Sequence, residues 1–224
     1  MEIKIGFYGD SFCADWSDSS WTTILCKKLG ITNPVSLGIQ GANCWTYFKK
    51  LQETIDQVDI VIICHTQEDR IPNILDAPLH QYTVEHIKDY PEQLEKYGIS
   101  LWTAAQQFYQ YIYDETAQRF FYRSIIKEIS EITKNKKVIH IFGFNLNSYK
   151  DLVNGVLITP SLLDISINER DIDQKGMWDD KRLNHLNDHN NQELANELYF
   201  ILDHYESLNN SVVQLNLNNF NLGK

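Results

Sequence analysis

The amino-acid sequence predicts an α/β fold: a three-layer α/β/α sandwich around a mainly parallel sheet of about five strands. Four apolar runs rich in β-branched residues have the length of strands, at 3–8, 34–38, 58–64 and 137–143. Their apolarity is continuous rather than alternating, which is typical of strands buried on both faces. Helical segments separate the runs, and this alternation indicates the α/β class.

The first two strands are each followed by a helical segment. The run IKIGFY at 3–8 precedes a helix predicted over 19–29, and PVSLG at 34–38 precedes one over about 45–58. In open α/β sheets ligands bind beyond the carboxyl ends of the strands, where loops lead into helices. The loops after these two strands are therefore the first places to look for chemistry.

The next two strands are separated by a long connection. VDIVIIC at 58–64 leads into residues 65–103, which carry prolines, histidines and aromatic residues, and a long helix is predicted within 104–134. KVIHIFG at 137–143 is the fourth strand, and GVLIT at 155–159 is a weaker fifth candidate. Long ordered connections are more often functional than idle, so we treat 65–103 as an insertion with a role of its own.

The chain ends in an amphipathic helix and a polar tail. Over 190–205, leucine and isoleucine recur at helical spacing and form an apolar stripe. The Asn-rich tail at 207–224 is an added strand, a partner-binding arm or a disordered segment. With 224 residues the chain fits one large domain, which we place at 1–206 with the insertion inside it.

Composition excludes several classes of protein. The formal net charge of −10 disfavours nucleic acid or an anionic membrane surface as a partner. No apolar run is long enough for a transmembrane helix, and the N-terminal residues do not resemble a signal peptide, which predicts a cytoplasmic protein. The four cysteines form no CxxC pair and are expected to be reduced thiols, and no recognised metal-ligand spacing is present.

A serine stands where the first strand gives way to the first helix, in Gly9-Asp10-Ser11. By itself this tripeptide is more often a turn or a helix N-cap. A serine nucleophile needs a histidine as base, and one histidine stands out by its context. His185 lies in a polar loop just before the last helix, with Asp179 and Asp180 shortly before it.

The order of these blocks resembles the SGNH (GDSL-type) hydrolases, which have a flavodoxin-like α/β fold. The resemblance runs from residue 3 to about 205 and implies that Ser11 is the nucleophile, with its own N–H as an oxyanion donor. His185 becomes the base and Asp180 the acid that orients it. Here Asp180 and His185 are five positions apart, whereas the family usually shows Asp-x-x-His, so Asp179 remains a rival for the acid.

Two further blocks of the resemblance concern the oxyanion hole. In SLGIQGANCW, Gly41 matches the glycine that supplies the second donor, with Gly38 as the other possible register. The family usually carries Gly-x-Asn-Asp after the third strand, where this chain has His-Thr-Gln-Glu at 65–68. Gln67 offers the same kind of amide donor on a longer side chain.

The resemblance implies cleavage of an ester through an acyl-enzyme, with no metal or organic cofactor. The substrate is expected to be a small-molecule or glycan ester, such as an acetylated sugar, a lipid or a thioester. Two other readings stay open: a hydrolase-like module that binds a glycan or a protein without turnover, and a subunit of a larger assembly joined through the tail.

Overall fold

The computed structural model describes residues 3–14, 17–73, 75, 77–144, 147–167 and 185–222. Within this part of the chain, five strands form one sheet in the order β1-β2-β3-β4-β5, and every neighbouring pair is parallel. The strands are β1 (Ile5–Gly9), β2 (Ile60–His65), β3 (Lys137–Phe142), β4 (Val156–Thr159) and β5 (Val212–Gln214). The predicted α/β class is confirmed.

Helices cover both faces of the sheet. Their bounds are α1 (Trp21–Leu29), α2 (Cys44–Thr54), α3 (Gln81–Glu85), α4 (Pro91–Tyr97), α5 (Ile99–Tyr111), α6 (Glu115–Ile132), α7 (Leu162–Ile167), α8 (Asp188–Asp203) and α9 (Tyr205–Leu208). Side chains of α1 and α8 share one apolar core with one face of the sheet, and side chains of α2 and α6 share the core on the other face. No helix in the described ranges is both long and apolar enough to cross a membrane.

Polar caps explain where the longer helices begin. Ser20, Asn43, Asp114 and Asn187 each accept a hydrogen bond from a backbone N–H in the first turn of α1, α2, α6 and α8. Such caps satisfy N–H groups that have no partner inside the helix. The helix predicted within 104–134 is two helices for the same reason, because α5 ends at Tyr111 and Asp114 starts α6 anew.

The segment 34–38, predicted as a strand, runs beside β1 but makes only one bridge, between Gly6 and Ser36. Val35 N–H donates to Ile5 O, and Phe7 N–H donates to Ser36 O. Pro34 has no N–H to extend the ladder at one end. At the other end Gly38 turns away to bond Cys13 O, so the expected strand is reduced to a short edge contact.

The tail supplies the fifth strand of the sheet. Val212–Gln214 pairs with β4, and Leu215 N–H donates to Thr159 O. Beyond it, Phe220 is buried in the core on the α1 and α8 side. Of the three readings of the tail, the structure therefore shows an added strand on the chain's own sheet.

The long connection carries a small core of its own. Its helices α3, α4 and α5 gather around Trp102, which is fully buried, together with Ile71, Ala77, Leu79, Val84, Ile87 and Ala105. Tyr109 O–H donates to Asp69 O and Leu79 O, which ties α5 to the start of the connection. Trp102, Phe108 and Tyr109 of α5 therefore pack within this unit, while Tyr111 at the end of the helix is exposed. Pro78 brings the unit against the loop at Gly41.

Candidate active site

Ser11 and His185 meet at the carboxyl end of β1. The Ser11 hydroxyl lies 3.0 Å from His185 Nε2, although the two residues are 174 positions apart. Ser11 begins a short 3-10 turn, Ser11–Cys13, directly after the strand, and His185 lies just before the N-cap of α8. The structure thus brings together the two residues on which the predicted chemistry depends.

The aspartate before the serine, Asp10, is buried, and both of its carboxylate oxygens have partners. One Asp10 carboxylate oxygen accepts the Phe12 N–H at 3.1 Å and so caps the 3-10 turn. The other accepts the Thr66 hydroxyl at 2.7 Å and pairs with Arg70 Nη1 at 3.1 Å. Asp10 therefore shapes and anchors the serine turn.

Arg70 joins three loops beneath the site. Besides its ion pair with Asp10, its Nη1 donates to Ala42 O at 3.0 Å. Its guanidinium carbon lies 5.8 Å from the centre of the Phe144 ring. Further hydrogen bonds offset the desolvation of a buried charge pair, and here Asp10 also accepts the Thr66 hydroxyl while Arg70 Nη1 donates to Ala42 O. The buried Arg70 Nε has no hydrogen-bond partner among the described residues. The serine turn, the loop after 34–38 and the loop after β2 are thus fixed to one another.

The two candidate glycines behave differently. Gly38 N–H donates to Cys13 O at 3.1 Å, so the fold already uses its hydrogen. Gly41 is at the third position of a turn closed by Ala42 N–H donating to Ile39 O, and its φ of 73° is one that glycine adopts readily. The turn is closed by the Ala42 N–H and does not use the Gly41 N–H, whereas the Gly38 N–H is bonded to Cys13 O. This favours Gly41 over Gly38 as the candidate oxyanion donor.

The loop after β2 is held from two sides. Thr66 is buried, its hydroxyl bonds Asp10, and its carbonyl accepts the Tyr122 hydroxyl at 2.6 Å. Gln118 Nε2 donates to Glu68 O at 2.7 Å. Gln67 lies between these anchored residues with its side chain partly exposed. The backbone of Gln67 is therefore held beside the serine turn through the bond between Thr66 and Asp10.

The two candidates for the acid of the predicted triad are Asp179 and Asp180. Both lie outside the described residues.

His185 itself is held by an edge-on contact with Phe12, with ring centres 5.3 Å apart, and Phe12 makes a similar contact with Phe144 at 5.6 Å. An aromatic wall therefore flanks the serine and histidine pair.

A second polar cluster crosses the sheet behind the site. Tyr47 OH lies 3.3 Å from His65 Nδ1, His65 Nε2 lies 2.9 Å from His140 Nδ1, and His140 Nε2 lies 3.2 Å from Asn154 Oδ1. Because Asn154 Oδ1 only accepts, a neutral His140 must carry its hydrogen on Nε2 and accept at Nδ1. His65 Nε2–H then donates to His140 Nδ1, and the Tyr47 hydroxyl donates to His65 Nδ1.

Burial sets the charge of both rings. It lowers the pKa of His140 from 6.5 to about 4 and, together with the neighbouring His140, lowers the pKa of His65 well below its usual value. Both rings are therefore uncharged at neutral pH. Among the described residues, no group of three or more His, Cys, Asp or Glu side chains is placed to hold a metal ion.

Sequence reasoning missed several residues that build the site. Arg70 lies two positions after the His-Thr-Gln-Glu segment at 65–68, but no spacing rule connects it with Asp10. Trp21 and Asn191 join α1 to α8 through the Trp21 N–H and Asn191 Oδ1, 3.1 Å apart. These contacts link residues far apart in sequence, so local pattern carries no signal for them.

Comparison with known proteins gives a distant likeness among solved structures. No family model matches the chain, and no curated protein matches it. Among solved structures it is similar to a protein from Parabacteroides merdae ATCC 43184 provisionally described as a GDSL-like lipase, with 14% identity and a TM-score of 0.31. The match covers 66% of this chain and 62% of that one, so it spans less than two thirds of that protein. What this site can do is therefore judged from its own contacts.

Proposed function

We propose that the protein is a serine esterase of the SGNH (GDSL-type) class. The observation that carries the proposal is the 3.0 Å contact between Ser11 Oγ and His185 Nε2. A serine hydroxyl becomes an effective nucleophile when a base accepts its proton, and a neutral imidazole within hydrogen-bond distance is such a base. The position at the carboxyl end of a parallel strand is where open α/β proteins bind ligands.

In the proposed reaction, His185 Nε2 takes the Ser11 proton as Oγ attacks the carbonyl carbon of an ester. The protonated ring then gives that proton to the leaving alcohol, which leaves an acyl group on Ser11. His185 next takes a proton from water as the water oxygen attacks the acyl carbon; the acyl–Oγ bond then breaks, the acid is released, and the ring returns the proton to Ser11 Oγ. No step consumes a further reactant besides water.

This cycle needs His185 to carry its hydrogen on Nδ1 before each attack. A carboxylate that accepts this Nδ1–H would keep the ring in that tautomer and stabilise the charged ring that forms. We assign this role to Asp180, with Asp179 as the alternative. Both precede His185 closely in sequence, and the buried Asp10 is already engaged by Thr66 and Arg70.

The negative charge that forms on the carbonyl oxygen needs hydrogen-bond donors. We propose the backbone N–H groups of Ser11 and Gly41, with the side-chain amide of Gln67 as the third donor. Gly41 is supported over Gly38 because the Gly38 N–H is bonded to Cys13 O. One preorganised donor typically lowers such a barrier by about 3 kcal/mol.

The aromatic neighbours of His185 favour an ester with an uncharged, apolar acyl group. The Phe12 ring packs edge-on against His185, and Phe144 packs on the Phe12 ring in turn. An acetylated sugar, a lipid ester or a thioester each meets this description. We take a short acyl group on a small-molecule or glycan alcohol as the substrate class to test first.

The test is labelling with a serine-directed fluorophosphonate together with turnover of p-nitrophenyl acetate. The wild-type protein should be labelled and should release p-nitrophenol, while Ser11→Ala and His185→Ala should lose both. Ser36→Ala is a matched control, because Ser36 is equally buried and its hydroxyl donates to the carbonyl of its own neighbour, Leu37. A folded wild-type protein that neither labels nor turns over ester would exclude the proposal and favour a binding module.

A further inference from the structure

Two helices are joined by a polar strut that begins next to Ser11 and ends next to His185. The strut consists of Trp21, the first residue of α1, and Asn191, in the first turn of α8. We propose that Trp21 and Asn191 are positioning residues that fix the distance between Ser11 and His185. This inference rests on the proposed esterase function.

The serine end of the strut is the indole of Trp21. Its Nε1–H donates to Phe12 O at 2.6 Å, and Phe12 directly follows Ser11. The ring is almost fully buried and packs edge-on against Phe7 of β1, with ring centres 5.5 Å apart. A buried ring held by both packing and a hydrogen bond has little freedom, so it restrains the serine turn.

The histidine end of the strut is the side-chain amide of Asn191. Its Nδ2 donates to Leu186 O at 2.9 Å and to Asn187 O at 3.0 Å, the two residues that follow His185. Its Oδ1 accepts the Trp21 backbone N–H at 3.1 Å. One amide thus joins the start of α1 to the loop that carries His185.

These bonds complete a closed path of contacts that includes Ser11 and His185. The path runs from Ser11 through Phe12 O to Trp21, then through Asn191 to Leu186, and back from His185 Nε2 to Ser11 Oγ. Every hydrogen-bonded link in it is 3.1 Å or shorter. Errors of about 1 Å in the placement of catalytic groups can reduce rates about a hundredfold.

The neighbouring residue provides a matched control. Asn190 is fully buried, and its side-chain amide bonds the backbone of Asn221 in the tail, with Asn221 N–H donating to Oδ1 at 2.7 Å. Asn190→Ala and Asn191→Ala therefore each remove a buried or half-buried amide from the same helical turn. The Asn191 amide bonds the Trp21 backbone N–H, whereas the Asn190 amide bonds the tail at Asn221.

The experiment compares Asn191→Ala, Trp21→Phe and Asn190→Ala with the wild type. Trp21→Phe removes the indole N–H and part of the ring volume but keeps an aromatic ring beside Phe7, so it is less disruptive than truncation to alanine. We expect kcat for p-nitrophenyl acetate to fall about tenfold to a hundredfold in the two strut variants, with KM changed less than about threefold. Asn190→Ala should keep kcat near the wild-type value.

A second readout does not require turnover. The ring ¹⁵N chemical shifts of His185 report its hydrogen bonds, so they should change in Asn191→Ala and Trp21→Phe but not in Asn190→Ala. If the wild type turns over ester and all three variants match it, the strut inference is wrong and the esterase proposal stands. If the wild type is inert, the esterase proposal fails, and the ¹⁵N shifts alone decide whether the strut holds His185.

Discussion

The buried histidine pair makes the stability of the protein depend on pH in one direction. An unfolded histidine takes up its proton near pH 6.5, whereas burial lowers the pKa of His140 to about 4 in the folded chain. Between these values the unfolded state binds more protons than the folded state. The contribution of His140 to the free energy of unfolding is therefore fully present above about pH 6.5, and it is lost as the pH decreases toward about 4.

The size of this effect follows from the two pKa values. The difference between 6.5 and about 4 is roughly 2.5 units, which corresponds to about 3 kcal/mol from His140 alone. The slope contributed by one such histidine is at most about 1.4 kcal/mol per pH unit. His65 adds in the same direction, because burial and His140 lower its pKa as well.

The perturbation is His140→Phe, which keeps a ring of similar size and cannot titrate. At pH 7.5 it should cost about 1–3 kcal/mol, because the His65 Nε2–H loses its acceptor in the core. Between pH 6.5 and 4.5 its unfolding free energy should fall less steeply than that of the wild type. His204→Asn is the control, since His204 exposes 46% of its side chain.

The assay is urea unfolding followed by tryptophan fluorescence at half-unit steps from pH 4.5 to 8. The wild type and His204→Asn should have similar slopes of unfolding free energy against pH. The His140→Phe slope should be shallower by up to about 1.4 kcal/mol per pH unit. Equal slopes in the wild type and His140→Phe would refute the reasoning, because they would mean that folding does not suppress protonation of His140.

Two further predictions concern the scaffold of the site. Arg70→Met leaves the buried Asp10 carboxylate without its ion partner and should lower the free energy of unfolding by about 3–5 kcal/mol in urea at pH 7.5; a loss below about 1 kcal/mol would contradict the role given to this pair. Gly38→Ala would place a Cβ 2.5 Å from Cys13 Sγ and 2.6 Å from Asp10 O, so we expect a loss of about 3 kcal/mol. Gly30→Ala meets open space but keeps a φ of 70°, and its loss should be only about 1 kcal/mol; equal losses in the two glycine variants would show that Gly38 is not tightly packed.

Four of the five strands could be located from sequence, because strands buried on both faces are apolar throughout. The fifth could not. Val212–Gln214 alternates between exposed and half-buried positions, so its three residues carry too little pattern to identify a strand. Its place in the sheet comes from pairing with β4. The opposite error occurred at 34–38, where an apolar run that begins at Pro34 makes a single bridge.

The site shows the same division. Ser11 and His185 could be paired in advance, since each stands at a strand or helix boundary in an order that resembles a known family. Arg70, Trp21 and Asn191 could not, because each acts through one long-range contact that no local spacing encodes. Sequence thus predicts the candidate reacting groups better than it predicts the residues that hold them in place.

The topology of the sheet also bears on how the chain folds. β1 pairs with β2 through Ile5 and Ile60, and β4 pairs with β5 through Leu157 and Val212, so each pairing closes a loop of more than fifty residues. Proteins dominated by such distant pairings fold slowly, because loop-closure entropy is lost before the contacts form. A nascent chain holding only β1 to β4 lacks its edge strand, and we expect the cooperative fold to appear only after β5 has left the ribosome.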